Sequence, residues 1–222
     1  MPLKRILEPE VMDSVEEARD YDQMDHAAVN EVFVSDLLVS GEIAGEILDL
    51  GTGTAQIPVA LCQHHEGCRV MAVDLAVHML DLARYQVEIN GLTERIMLDH
   101  IDAKSLPYDS DRFEVVMSNS IVHHIPEPAT VLAEAIRVVR GGGRLFFRDL
   151  LRPGSEEVVQ QLVNSYAGEA NDHQRQMFDD SLRAALSLDE IRGLISGLGY
   201  DPNEVQATSD RHWTWSAEKT CS

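Results

Sequence analysis

The chain has 222 residues and carries 38 Asp and Glu against 18 Lys and Arg, a net charge of −20 at pH 7. That excess repels phosphate backbones and anionic lipid surfaces, and no basic cluster offsets it, so neither nucleic acid nor a membrane is an expected partner. The length suits one sizeable α/β core, and no run of 18 or more apolar residues exists to span a bilayer.

The N-terminus, MPLKRILEPE, is basic but lacks an apolar segment, so it does not read as a signal peptide. Helices are expected over 10–19 and 27–38, the second with Val29, Val32, Phe33 and Leu37 at helical intervals. Strands follow near 46–50, 69–74, 96–101, 113–118 and 143–149, separated by helices near 55–65, 76–90 and 127–139. Gly91 and the glycines at 141–143 are stop signals for the last two of these helices. After Arg152-Pro153-Gly154 the pattern turns helical, near 155–166, 170–184 and 188–197, with Ser187 and Glu190 as a capping box. Two strands near 203–208 and 211–217 close the chain. This alternation implies an α/β fold whose mostly parallel sheet is covered on both faces. No linker divides it, so residues 1–222 read as one domain. Cys62, Cys68 and Cys221 make neither a metal-ligand spacing nor an even disulfide set. A reducing cytoplasm suits them, and Cys62 and Cys68 read as packing residues.

Residues 46–55 read EILDLGTGTA. A strand ending in Asp49 runs into Gly51 and Gly53, and a helical pattern follows. Such a junction aims backbone N–H groups and a helix dipole at a ligand. Asp74 ends the next strand about 20 residues on, where an acid can accept both hydroxyls of a ribose. An adenosine-containing ligand is therefore expected. The third glycine of a dinucleotide site is replaced by Gln56, and no Tyr-x-x-x-Lys pair is present, so a nicotinamide-dependent oxidoreductase fits poorly.

The spacing of Asp49, Gly51, Gly53 and Ala55 resembles the first motif of the class I S-adenosylmethionine (SAM) dependent methyltransferases, in their small-molecule branch. The resemblance covers residues 45–150 well and the rest loosely. It implies a Rossmann-like, seven-stranded, mostly parallel sheet with helices on both faces and an antiparallel final strand. It implies SAM as cofactor, its amino acid part near Asp49, Gly51, Thr52, Gly53 and Thr54, and its ribose on Asp74, with Leu75 and Met79 also in the site. Asp102 and the backbone of Ala103 would meet adenine, and Asn119 and Ser120 the methionine part. Tyr21, in the segment 21–26 between the N-terminal helices, would be an aromatic lid over the sulfonium. The N-terminal residues 1–40 would form that lid region and 152–202 the substrate side.

His123 and His124 are the candidate catalytic residues, since a histidine near neutral pKa can act as general base. Adjacent side chains point in different directions, so at most one is expected to face the pocket. The simpler reading has one stacked under the cofactor and the other as a structural hydrogen-bonder. No cysteine or third ligand completes a metal site with them, and no metal is expected. Arg148 and Asp149 end an apolar strand; either they pair with neighbours or one stands at the substrate mouth, where arginine suits a carboxylate or phosphate. Trp213 and Trp215 share a strand face and are expected in the core.

The implied activity is in-line methyl transfer to a small-molecule acceptor. The Asn/Asp-Pro-Pro-aromatic signature of base amino methylation is absent after the fourth strand. The alternatives are a protein or other macromolecular acceptor, and a SAM-binding protein without methyl transfer.

Overall fold

The computed structural model describes residues 3–9, 14–24, 26–43 and 45–221. The strands are β1 (Glu46–Leu50), β2 (Arg69–Asp74), β3 (Ile96–His100), β4 (Phe113–Asn119), β5 (Val139–Leu150), β6 (Val205–Ala207) and β7 (His212–Glu218). They form one seven-stranded sheet in the order β3-β2-β1-β4-β5-β7-β6. The first five pair in parallel, and β7 runs antiparallel to both β5 and β6. The order reverses between β1 and β4, and ligands of open α/β sheets bind beyond the carboxyl ends of strands at such a switch point.

Strand residues alternate between two cores. Ile47, Val70, Ala72, Val115, Met117 and Phe146 face α2 (Ala27–Val39), α3 (Gln56–His64) and α4 (Val77–Ile89). Leu48, Leu50, Val116, Leu145 and Phe147 face α5 (Pro128–Val138) and α8 (Leu188–Gly197). Trp213 and Trp215 are fully buried in this second core, as their shared face implied. Cys62 and Cys68 pack in the first. Two further helices, α6 (Glu156–Tyr166) and α7 (Asp172–Ala184), bury a smaller cluster with Leu150.

Three details differ from the sequence reading. β5 begins at Val139, directly after α5 ends at Val138, so the glycines at 141–143 lie inside the strand rather than ahead of it; Gly142 has φ +73° and donates its N–H to Lys219 O. The first helix, α1 (Val15–Gln23), starts at a capping box of Ser14 and Glu17. Residues 10–13 of the expected helix lie outside the described residues. Tyr21 therefore sits in the last turn of α1 rather than between two helices, and it packs with Ala18, Ala76 and Met79.

Candidate cofactor and acceptor site

The turn after β1 is stapled to β2, since Gly51 and Thr52 both donate their N–H to Val73 O at 2.9 and 3.0 Å. Gly51 has φ +68°, and a Cβ there would lie 1.9 Å from Ile121 Cγ2. Glycine is thus required at this position twice over, by conformation and by space. Ala55 takes φ +61° while fully buried, which is why the fourth motif position is small. Ser120, just past β4, also has φ +60°. Backbone strain of this kind clusters at functional sites.

Asp74 locks the same turn. Its Oδ2 accepts from Gly53 N–H at 2.7 Å and its Oδ1 from Ala76 N–H at 2.8 Å, which fixes the carboxylate at the edge of a cleft. Gly51, Gly53, Asp74, Leu75 and Met79 line this cleft, as do Asp102, Ala103, Asn119, Ser120 and Tyr21. A smaller recess adjoins it, lined by Asp49, Thr52 and Thr54 together with Gly51, Asn119 and Tyr21. The residues expected from sequence to hold the cofactor are all brought to these two joined hollows. Asp102 also serves its own loop, accepting Lys104 N–H at 2.9 Å and pairing with Lys104 Nζ at 3.1 Å.

The recess has the polarity that an α-amino group would satisfy. Asp49 is buried, and that burial pushes its carboxyl up to about 7; the Thr52 hydroxyl pulls the other way and nearby Asp74 adds to the rise. No cation among the described residues pairs with it. Asn119 Oδ1 is buried in the same place without a hydrogen-bond partner among the described residues. Tyr21 closes the cleft from α1, its hydroxyl pushed up to about 12 by burial and by Asp74 and Asp49. These groups fit the amino acid and ribose parts of SAM.

A cavity of about 510 Å³ opens beside the cleft, a size that suits a small molecule. Val29 and Asn30 of α2, Gln174, Met177 and Phe178 of α7, and Tyr166 and Arg211 line it. Tyr21, Asn119, Ser120 and His124 line both the cleft and the cavity. Arg211 stacks over the Tyr166 ring at 3.4 Å and pairs with Asp210 at 3.2 Å.

Both histidines lie in the cavity wall, contrary to the expectation that at most one would face the pocket. They sit on a 3₁₀ turn, Val122–His124, tight enough to hold the rings 4.1 Å apart. Asp149 builds this turn. Its Oδ2 accepts the N–H groups of Val122 and His123 at 2.6 and 3.2 Å, and its Oδ1 meets His123 Nδ1 at 2.5 Å. Burial alone would lower the pKa of His123, but the carboxylates of Asp149 and Glu8 outweigh it and raise it. Burial beside His123 pushes His124 down to about 3, so its ring is neutral. The expectation that no third ligand accompanies the pair does not hold: Glu8 Oε1 lies 3.4 Å from His123 Nε2 and 3.2 Å from His124 Nδ1. Arg5 fixes this N-terminal segment by donating to the carbonyls of Ala184, His123 and Ile125.

Arg148 does not stand at a substrate mouth. It is buried against Phe33 and Phe146, paired with Asp36 at 2.5 Å and bonded to Thr214. Its neighbour Asp149 does not reach the cavity either; it is buried behind His123 and holds that residue's turn. Glu8 and Arg5 were missed from sequence because they arrive from more than a hundred residues away.

Residues 48–147 match a family described as a methyltransferase domain. Methyltransferase GfsG of Streptomyces halstedii is 31% identical over 170 residues, which cover 75% of this chain and 56% of GfsG. The 27-O-demethylrifamycin SV methyltransferase of Amycolatopsis mediterranei is 27% identical, over 78% of this chain and 61% of its own. The chain thus spans little more than half the length of these relatives. The fold is that of a Methanococcus maripaludis protein described as a candidate SAM-dependent methyltransferase, with a TM-score of 0.76, 17% identity and 98% of each chain covered. With the motif turn, the acid after β2 and the sheet order in agreement, residues 48–147 form a methyltransferase domain of the class I SAM-dependent type.

Proposed function

We propose that this protein transfers the methyl group of SAM to a small molecule held in the 510 Å³ cavity. The observation that carries this reading is the shared wall: Tyr21, Asn119, Ser120 and His124 border both the cofactor cleft and the cavity, so an occupant of one abuts an occupant of the other. The relatives' names support a small-molecule acceptor, since one of them is a methyltransferase of 27-O-demethylrifamycin SV. The net charge of −20 opposes nucleic acid as the acceptor.

SAM, when bound, supplies an activated methyl group on a sulfonium leaving group. The residues of this chain then have three tasks: to hold the acceptor in line, to exclude water and to handle a proton where the acceptor carries one. Asp49, Asp74, Asp102 and Asn119 are the proposed cofactor contacts, with the glycine turn beneath. Tyr21 and α7 cover the cavity and keep water out. His123 and His124 are the proposed contacts to the acceptor's reacting atom, with Asp149 positioning His123. On this reading residues 1–222 act as one unit, in a reducing cytoplasm that keeps the Cys62 and Cys68 thiols, 3.5 Å apart, unlinked.

The test is an acceptor screen with methyl-labelled SAM over small hydroxyl, amine and thiol compounds and over proteins. Met177→Trp, which fills the cavity, is run alongside. Label transfer to a small molecule, lost in Met177→Trp while SAM binding persists, supports the reading. Label on proteins alone, or transfer indifferent to Met177→Trp, contradicts it.

A further inference from the structure

We propose that Glu8, His123 and His124 form a binding site for one divalent transition-metal ion in the wall of the acceptor cavity. One ligand atom from each of the three side chains lies within 4.8 Å of the other two. An ion bonded at about 2.1 Å to three such donors holds them roughly 3.0–3.4 Å apart at tetrahedral or octahedral angles. The two distances from Glu8 Oε1, 3.4 and 3.2 Å, already meet that spacing.

The hydrogen bonds around the cluster leave these atoms without other work. Glu8 Oε1 and His124 Nδ1 are buried and have no hydrogen-bond partner among the described residues. Their 3.2 Å approach lacks hydrogen-bond geometry, so a shared proton does not satisfy the pair, whereas a cation between them would. His123 is held by Asp149 through Nδ1, which turns Nε2 toward Glu8. A carboxylate behind an imidazole in this way is how proteins orient a metal-binding histidine. The other oxygen of Glu8 accepts from the Ser181 hydroxyl at 3.3 Å, which fixes the carboxylate. Two acids, the half-buried Glu8 and the buried Asp149, supply the negative charge. The nearby Arg5 opposes a cation, but its three hydrogen bonds go to backbone carbonyls and not to the cluster.

Two imidazoles and one carboxylate suit zinc, iron(II) or cobalt(II). Both rings line the cavity, which puts the site at its wall. A water or an acceptor oxygen there would be polarised by the ion. That role rests on the proposed function; the site itself does not.

The probe is Co²⁺, titrated by visible absorption into tag-free, chelator-stripped full-length protein, with Zn²⁺ followed by calorimetry. One ion per chain is expected. Glu8→Gln and His124→Ala should each weaken it by at least the roughly 10–100-fold typical of disturbing a metal ligand's surroundings. Thermal unfolding of each variant checks that it is folded, and the wild-type titration stands even if one variant is not. Substoichiometric binding by the wild type, or undiminished binding in both folded variants, overturns the proposal and leaves a Glu8–His123–Asp149 ion triad. SAM titrated into the same wild-type sample separates the two readings, since loss of SAM binding counts against the function alone.

Discussion

Asp149 holds His123 by side chain and backbone at once: one carboxylate oxygen meets Nδ1 at 2.5 Å while the other accepts the His123 N–H at 3.2 Å and that of Val122 at 2.6 Å. A single buried acid thereby caps the 3₁₀ turn and sets the angle of the ring in the cavity wall. Both partners are almost fully buried, with side chains 3% and 1% exposed. Removing one member of such a pair leaves the other uncompensated.

Asp149→Ala should therefore cost about 3–5 kcal/mol of folding stability, measured by urea unfolding. A loss below about 1 kcal/mol, the size of a surface ion pair, would mean that the contact does not organise the turn.

Gly51 and Gly91 make a controlled comparison. Both have positive φ, +68° and +67°, but a Cβ on Gly51 meets Ile121 at 1.9 Å whereas one on Gly91 meets nothing within 4 Å. Gly91→Ala should cost only the left-handed penalty of about 1–2 kcal/mol. Gly51→Ala should cost more than that in chemical unfolding and weaken SAM binding at least tenfold. Equal effects on stability and no change in SAM affinity would show that the turn tolerates a side chain.

The Asp49 carboxyl, raised to about 7, gives two opposite pH dependences. Its folded pKa lies above its ordinary value of 3.8, so its contribution to stability is present at low pH and is lost as pH rises toward about 7. Affinity for the ammonium-bearing SAM should move the other way, tightening from pH 6 to 8 as the carboxylate forms. Asp49→Asn should flatten both profiles. A SAM affinity that stays level over this range in the wild type would remove Asp49 from the cofactor contacts.

Much of this was legible in the sequence because the information was local. Asp49, Asp74, Asp102 and Asn119 each fall at or just past the end of an apolar strand, and the strand-end rule gathers such residues to one edge. The Ser187 and Glu190 capping box starts α8 as read. The Ser14 and Glu17 box was equally visible and, once used, would have put Tyr21 inside α1. The glycines at 141–143 misled about β5, because a stop signal for a helix is also compatible with an irregular strand. Tertiary placement hid the rest. Nothing local told that Arg148 pairs with Asp36 and Asp149 with His123, and no spacing rule joins Glu8 to a histidine pair 115 residues later.

The central claim is that the glycine turn and Asp74 hold SAM, and calorimetric titration tests it most directly. Purified wild type and Asp74→Ala would each be titrated with SAM, S-adenosylhomocysteine and NADH. Asp74 gives up charged hydrogen bonds worth about 1.5–3 kcal/mol each, so the account expects micromolar binding of both adenosyl ligands that weakens at least tenfold in the variant. Folded wild-type protein that binds neither adenosyl ligand, or binds NADH in their place, would contradict it.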